Sequence, residues 1–172
     1  MSGRVLLIGA RASGKSTVAA QLGAPWIDMD DAVCAHLGGS SAGTMFSEQG
    51  EAAWRDAEAT VLRTLLDDGP SIIAAGGGVG CVGGTCDIVD AARAHGTLIC
   101  IWLRITPETA MARLAAGGDR PALRGEDAVA EAPQVMADRS DRWQAMADHI
   151  VDADGPLGDV LTAVRAIIDQ QK

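Results

Sequence analysis

Residues near the N-terminus have the types and the spacing that phosphate chemistry needs. Residues 9–16, with the sequence GARASGKS, satisfy the pattern G-x-x-x-x-G-K-[ST]. Glycines let successive backbone N–H groups turn towards a phosphate, and a helix that follows adds its positive N-terminus. Lys15 is placed to reach the outer phosphates, and the Ser16 hydroxyl is placed to coordinate Mg²⁺. Because the motif stands between a predicted strand and a predicted helix, it predicts nucleotide binding rather than a turn with an exposed lysine.

Three carboxylates follow the next short strand. Asp28, Asp30 and Asp31 stand at the end of a predicted strand, Trp26–Asp28, and strand ends in open parallel sheets face the ligand crevice. If the strand continues to Asp30, then Asp28 and Asp30 point to the same side. One carboxylate would then hold Mg²⁺ through water, and the other would take a proton from an acceptor hydroxyl. A helix N-cap with acidic first-turn residues explains the same segment equally well.

Two arginines could recognise an anionic acceptor. Arg55 and Glu58 are three residues apart on a predicted helix, which is also the spacing of an ordinary surface ion pair. Arg139 shares a helical face with three large apolar residues, Met136, Trp143 and Met146. A buried guanidinium needs a partner, and a ligand carboxylate held by two hydrogen bonds would be one. The alternative is that the aliphatic part of the Arg139 side chain is buried while its guanidinium reaches solvent.

Two further segments could contact a bound ligand. Gly76, Gly77 and Gly78 follow a predicted buried strand, and glycines leave room for the backbone to approach a ligand closely. Arg120 and Arg124 lie in a weakly patterned stretch, residues 116–131, that suits a mobile lid. An arginine there could cover the transferring phosphoryl group, although solvated loop arginines are common.

The elements that position these residues alternate along the chain. Predicted strands cover Arg4–Gly9, Trp26–Asp28, Ser71–Ala75, Leu98–Leu103 and His149–Asp152. Predicted helices cover Lys15–Leu22, Glu51–Asp67, a segment from Thr106 to about Ala115, and a last helix that carries Val160 and Val164. The core stripe of the second helix is predicted to be Trp54, Ala57, Val61 and Leu65. The pattern predicts one α/β domain over residues 1–172, with a five-stranded parallel sheet flanked by helices.

Length and composition exclude several classes of function. The chain has 172 residues, a formal net charge of −9 and a pI near 4.6, which argues against a nucleic-acid partner. No apolar stretch is long enough to cross a bilayer, and the N-terminal apolar run, Val5 to Ile8, is too short for a signal peptide. We therefore expect a cytoplasmic protein, acting as a monomer. The four cysteines lack paired spacing, so free thiols are expected.

The order of these motifs resembles the shikimate kinase family. The resemblance covers Val5 to about Ala153. The matching segments are GxxxxGKST at 9–17, the D-x-D at 28–30, MFSEQGEAAWRDAE at 45–58, AAGGGV at 74–79, DRP at 119–121 and MADRSDRW at 136–143. The resemblance implies a P-loop kinase that uses ATP and Mg²⁺ to phosphorylate the 3-hydroxyl of shikimate. A related kinase for gluconate and a non-catalytic binding protein stay open as alternatives.

The resemblance also implies roles for individual residues. ATP would be bound by Ala12, Ser13, Gly14, Lys15, Ser16, Thr17 and the lid residue Arg120. Mg²⁺ would be held by Ser16 and Asp28. Shikimate would be bound by Asp30, Arg55, Gly77 and Arg139, with Glu58 orienting Arg55. The chemistry would depend on Lys15, Asp30 and Arg120.

Overall fold

Each strand is followed by one or two helices in the computed structural model, which describes residues 3–39, 41–117 and 127–171. The strands are β1 (Arg4–Ile8), β2 (Trp26–Asp28), β3 (Ile72–Ala74), β4 (Leu98–Arg104) and β5 (His149–Asp152). The helices are α1 (Lys15–Gln21), α2 (Met29–His36), α3 (Ala42–Asp68), α4 (Thr85–Ala94), α5 (Pro107–Ala116), α6 (Ala128–Met146) and α7 (Leu157–Asp169). Each strand differs from its predicted bounds by at most one residue at either end.

All five strands are parallel, in the order β2-β3-β1-β4-β5. The predicted five-stranded parallel sheet is therefore confirmed. From β1 the chain crosses over β3 to reach β2, and from β3 it crosses β1 to reach β4. The direction of travel reverses between the neighbouring strands β1 and β3, and ligands in such sheets bind beyond the carboxyl ends of the strands at this point.

The core forms because the central strands are apolar on both faces, as helix-covered parallel strands must be. Leu6, Leu7, Ile73 and Ile101 are fully buried. The predicted apolar stripe of α3, Trp54, Ala57, Val61 and Leu65, is buried as well. Among the described residues, no helix combines the length and the apolar character that crossing a membrane requires.

Local signals in the sequence explain how two of the helices begin or bend. The Thr106 hydroxyl accepts a hydrogen bond from Thr109 N, and Pro107 occupies the first position of α5, which confirms the predicted cap. The long helix α3 is interrupted at Gly50, whose φ of 84° and ψ of 166° break the helical path. The kink separates the residues before Gly50 from the straight part that carries Trp54 and Arg55.

The structure differs from the sequence-based expectation at four places. Strand β2 ends at Asp28, so Asp30 lies in the first turn of α2 and the strand does not continue to it. Helix α4 and the first part of α3 were not predicted. The expected lid over 116–131 is shorter at its C-terminal end, because residues 128–131 form the first turn of α6. Residues 118–126 of that segment lie outside the described part of the chain.

Candidate functional site

A cavity of about 1040 Å³ opens at the carboxyl ends of β1 and β3. Its walls include most of the predicted site residues: Ala12, Ser13, Gly14, Lys15, Ser16, Thr17, Asp28, Asp30, Arg55, Gly77 and Arg139. Arg120 is outside the described residues. The phosphate-binding motif and both predicted acceptor arginines therefore face one cavity.

The loop between β1 and α1 has the backbone that its glycines allow. Gly9 has a φ of 135°, and a Cβ added there would lie 2.6 Å from the Leu103 carbonyl oxygen, so only glycine fits. The Lys15 ammonium donates to the carbonyl oxygens of Gly9 at 3.0 Å and Ala10 at 2.7 Å. The lysine thus lies against its own loop, with its charge at the cavity wall where phosphates would be placed.

Ser16 and Asp28 meet at the end of β2. The Ser16 hydroxyl donates to Asp28 Oδ2, and Asp28 Oδ1 accepts from Asp30 N at 3.0 Å as the N-cap of α2. The helix-cap interpretation of this segment is therefore correct for the backbone, and the cap still leaves Asp28 beside Ser16. A hydroxyl and a carboxylate oxygen suit Mg²⁺, which keeps several of its waters. No group of three or more metal-ligating side chains was found in the described ranges.

Asp30 projects from the first turn of α2 into a strongly charged environment. Burial raises the pKa of its carboxyl to about 6, and the negative charges of Asp28 and Glu58 act in the same direction. Lys15 and Arg11 oppose this increase in pKa. A carboxylate with this pKa is still ionised at neutral pH and is more basic than an ordinary aspartate, which suits it to accept a proton.

Arg55 is held by two glutamates of its own helix. Its Nη1 donates to Glu58 Oε2 at 2.7 Å, and its Nε and Nη2 approach Glu51 Oε1 at 3.4 and 3.3 Å. The Glu58 side chain is only 2% exposed, so the pair is not the ordinary surface ion pair that the spacing allows. The guanidinium carbon of Arg55 lies 6.0 Å from the centre of the Phe46 ring, which adds a cation–π contact.

Arg139 reaches the same cavity from α6. It is 6% exposed, and its Nη1 donates to the Gly77 carbonyl oxygen at 2.8 Å. The predicted apolar face is present, because Trp143 and Met146 are buried beside it. Trp143 packs against Trp102 of β4 with ring centres 6.0 Å apart. The guanidinium is therefore fixed at the cavity rather than extended into solvent.

Each glycine of the triplet lies against a different charged side chain. A Cβ at Gly76 would overlap Asp30 Oδ1, and a Cβ at Gly78 would lie 2.7 Å from Arg55 Nη1. A Cβ at Gly77 would lie 3.5 Å from Arg139 Nη1. The absence of side chains here lets a carboxylate and two guanidinium groups from three helices approach one segment of backbone.

The sequence analysis missed two arginines that line the cavity. Arg113 of α5 donates to the carbonyl oxygens of Ala12 at 3.3 Å and Ala153 at 2.8 Å, so it joins the phosphate loop to the segment after β5. Arg11 belongs to the phosphate loop itself, and its Cγ lies 3.8 Å from the position of a Gly77 Cβ. Arg11 occupies an unspecified position of the motif, and its basic character was the only available signal.

The cysteines take no part in a disulfide or a metal site among the described residues. All four, Cys34, Cys81, Cys86 and Cys100, are free thiols in the structure. Burial raises the pKa of the Cys81 thiol to about 11, so this thiol is protonated at neutral pH.

Comparisons with known proteins agree on one family. The family model described as shikimate kinase matches residues 11–169. The shikimate kinase of Nitratidesulfovibrio vulgaris is 33% identical over 96% of this chain and 95% of its own. That of Salinibacter ruber is 30% identical over 98% of this chain and 85% of its own.

Solved structures share the fold at lower identity. A shikimate kinase from Bacteroides thetaiotaomicron has a TM-score of 0.81 and 23% identity, covering 97% of this chain and 98% of its own. A shikimate kinase from Acinetobacter baumannii in complex with shikimate has a TM-score of 0.84 and 20% identity, covering 99% of this chain and 94% of its own.

Proposed function

Because the chain belongs to the shikimate kinase family, we infer that it transfers the terminal phosphoryl group of ATP to the 3-hydroxyl of shikimate. The products are ADP and shikimate 3-phosphate, in the biosynthesis of aromatic amino acids. One observation carries the assignment to this cavity: Lys15 of the phosphate loop and the guanidinium groups of Arg55 and Arg139 line the same space. A nucleotide phosphate and an acidic acceptor can therefore be held side by side.

The acceptor carboxylate is bound by the two arginines in this proposal. Arg139 keeps one hydrogen bond to Gly77 O, and a guanidinium has five N–H donors in a planar fork. Arg55 is oriented by the buried Glu58, so both groups are held in position before the acceptor binds. Gly77, without a side chain, leaves the acceptor ring room to contact the backbone.

Phosphoryl transfer then requires a base and a means of balancing charge. The acceptor hydroxyl oxygen bonds to the terminal phosphorus while the bond from that phosphorus to the bridging oxygen of ADP breaks. Asp30 accepts the hydroxyl proton, which its raised pKa of about 6 favours. Lys15 balances the charge of the phosphates, and Arg120, which lies outside the described residues, is assigned the same task from the family pattern.

The proposal also includes Mg²⁺, which Ser16 and Asp28 would hold. Ser16 and Asp28 already share a hydrogen bond at the cavity wall, and their oxygens are of the type that this ion prefers. When bound, the ion would neutralise the negative charge that develops on the transferring phosphoryl group. Asp28 Oδ1 accepts a hydrogen bond from Asp30 N, so the residue that caps α2 would also help to hold the ion.

The nucleotide side of the cavity is bounded by α5 and by the segment after β5. Arg113, Ala153, Gly155 and Leu157 line it together with the phosphate loop. We assign the base and ribose of ATP to this side, because the acceptor arginines occupy the other. An apolar wall beside a guanidinium plane suits a heterocyclic base.

A substrate panel tests the function directly. ADP release is measured with shikimate, with an open-chain sugar acid such as gluconate and without an acceptor, and the phosphorylated product is identified by mass spectrometry. We expect turnover with shikimate and none above background with gluconate. Preference for gluconate would overturn the assignment of shikimate as the acceptor. Binding of ATP and shikimate without product would indicate a non-catalytic protein.

The proposal includes a single domain over residues 1–172 that acts as a monomer in the cytoplasm, without a nucleic-acid partner. The net charge of −9 supports the last point, because like charges repel the phosphate backbone. The monomer is supported by the described residues of one chain, which supply the phosphate loop, Asp30 and both acceptor arginines to a single cavity. Size-exclusion chromatography with light scattering measures the mass, and a stable dimer would contradict this part.

A further inference from the structure

Arg142 lies one turn after Arg139 on α6 and does not line the cavity. Its Nε donates to the Gly80 carbonyl oxygen at 2.6 Å. Its Nη2 donates to Asp90 Oδ2 of α4 at 2.8 Å and approaches the Cys86 carbonyl oxygen at 3.4 Å. One guanidinium thus joins three parts of the molecule: α6, α4 and the loop that leads from β3 to α4.

That loop, residues 76–84, is called the glycine loop here, because six of its nine residues are glycine. Glycine loses more backbone freedom on folding than any other residue, so the loop depends on outside contacts for a single conformation. Its internal bonds are few and include Val79 N to Gly76 O at 3.1 Å and Val82 N to Gly78 O at 2.9 Å. The glycine loop carries the backbone that Arg139 and Arg55 approach.

Helix α6 holds the glycine loop at two points three residues apart. Arg139 bonds the carbonyl of Gly77 and Arg142 bonds the carbonyl of Gly80. The two arginines are also three residues apart, so they act from the same side of the helix. Gly80 has a φ of 73°, and a Cβ there would overlap Met146 Sδ of the same helix, so the loop is packed against α6 as well as bonded to it.

The two attachments differ in what else they must do. Arg139 faces the cavity, and in the proposed function it also binds the acceptor carboxylate. Arg142 does not line the cavity, and its ion pair with Asp90 holds its guanidinium in place. Without Arg142, the glycine loop would keep the Arg139 bond from α6 and the Thr85 bonds to Gly80 N and Val82 O from α4, and Arg139 would have to bind the acceptor as well.

We propose that Arg142 is a positioning residue for the acceptor site. It fixes the glycine loop on α6, so that Gly77 and Gly78 keep their places between Arg139 and Arg55. The proposal rests on the proposed function for its kinetic part only. Its structural part, the attachment of residues 76–84 to α6, concerns the free protein.

The kinetic test replaces Arg142 by methionine, which keeps most of the stem and removes the donors. We expect the KM for shikimate to rise about tenfold, since a hydrogen bond to a charged group is lost. The KM for ATP stays within about twofold of wild type, because the phosphate loop is held by other residues. Arg142→Lys retains a single donor point and gives an intermediate KM for shikimate.

Arg93→Met is the matched control. Arg93 lies on α4, the helix that carries Asp90, and like Arg142 it joins α4 to another part of the chain. It pairs with Asp148 at 2.7 Å and donates to the Ala145 carbonyl oxygen of α6. The Arg93 and Arg142 side chains are 23% and 29% exposed, so the two substitutions remove equal charge from similar surroundings. We expect Arg93→Met to lower the melting temperature to a similar degree and to leave both KM values unchanged.

Hydrogen exchange of the free protein supplies a readout that does not depend on activity. Peptides covering residues 76–84 exchange faster in Arg142→Met than in wild type, whereas Arg93→Met leaves them unchanged. Unaltered exchange in Arg142→Met would overturn the proposal, and so would equal increases in both KM values. If wild type fails to phosphorylate shikimate, the proposed function is wrong, and the exchange result alone decides whether Arg142 fixes the loop.

Discussion

Arg55 and Arg139 are held at the cavity by different partners, and this difference predicts how substitutions there behave. Arg55 is oriented by the carboxylates of Glu51 and Glu58, whereas Arg139 donates a hydrogen bond to the backbone carbonyl of Gly77. We expect Arg139→Met to weaken shikimate binding roughly 100-fold, because a charged hydrogen-bonding partner of the carboxylate is lost in a buried site. Nucleotide affinity stays within about threefold. Calorimetric titration with shikimate and with ADP measures both.

The control for this experiment is Arg63→Met, because Arg63 is an exposed arginine of α3 outside the cavity lining. We expect Arg63→Met to leave the affinities for shikimate and for ADP unchanged. Equal losses of shikimate and nucleotide affinity in Arg139→Met would contradict its assignment to the acceptor.

Asp30 predicts an effect of pH on stability. Its pKa rises from 3.8 to about 6 on folding, chiefly through burial, so the folded state holds this proton more tightly than the unfolded state. The ionised carboxylate therefore destabilises the fold increasingly from pH 3.8 to 6, and fully above pH 6. We expect Asp30→Asn to stabilise the metal-free protein at pH 7.5 by up to about 3 kcal/mol and to have almost no effect at pH 3.5. Thermal denaturation at both pH values measures the difference, and destabilisation at pH 7.5 would contradict it.

The same group predicts a pH dependence of activity. Only the ionised Asp30 accepts the proton of the acceptor hydroxyl, so kcat/KM for shikimate falls as the pH decreases through about 6. Asp30→Asn lowers kcat by about 100-fold or more above pH 7, and the difference from wild type narrows as the pH falls through about 6. The measurement is initial rate against pH at saturating Mg·ATP. A wild-type profile that stays level down to pH 5 would exclude Asp30 as the base.

At the scale of elements, the glycine loop sets where the functional side chains stand. A Cβ at Gly76 would overlap Asp30 Oδ1 and approach Glu58 Oε1 at 3.4 Å. Both atoms are ends of flexible side chains, so Gly76→Ala displaces the Asp30 carboxylate without opening the core. We expect kcat to fall at least tenfold while the melting temperature changes little.

Gly84→Ala is the matched substitution in the same loop. Gly84 has a φ of −69°, which any residue adopts, and an added Cβ meets only Ala59 Cβ at 3.6 Å. Activity and stability stay close to wild type. If Gly84→Ala lost as much activity as Gly76→Ala, a general sensitivity of the loop would explain the result better than displacement of Asp30.

Elements with strong local signals could be predicted from the sequence, and those shaped by tertiary contacts could not. The phosphate loop was recognisable because its glycines stand between an apolar strand and a helix. Helix α4 was missed because it follows a glycine-rich segment, and its N-terminus depends on Thr85, whose hydroxyl bonds Gly80 N and Val82 O. Arg113 was missed because its partners, Ala12 and Ala153, are distant along the chain. No local pattern reports such a contact.

The order of the strands explains why residues so far apart in sequence meet in one cavity. Reversal of direction between β1 and β3 brings the phosphate loop and the glycine loop together. Helices α3 and α6 then supply Arg55 and Arg139 from outside the sheet. The molecule as a whole is acidic, with a net charge of −9, so anionic ligands are attracted by this local cluster of arginines and lysine rather than by a global field.

The cavity therefore has a nucleotide side and an acceptor side, and Arg113 is the residue that tests this division. It joins α5 to the phosphate loop through Ala12 O and to the segment after β5 through Ala153 O. We expect Arg113→Met to raise the KM for ATP about tenfold, because both carbonyl contacts and the guanidinium plane are lost. The KM for shikimate stays within about twofold, since Arg55 and Arg139 keep their contacts.

Initial rates with each substrate varied in turn measure the KM for ATP and the KM for shikimate. Arg104→Met serves as a control, because Arg104 is exposed at the end of β4 and outside the cavity lining. Arg113→Met and Arg139→Met are then expected to show opposite patterns, one affecting ATP and the other shikimate. Substitutions at separated sites with no shared partners add their effects, so the double variant combines both defects. A rise in the shikimate constant of Arg113→Met as large as that for ATP would mean that the two sides are not independent, and that the phosphate loop transmits the loss to the acceptor arginines.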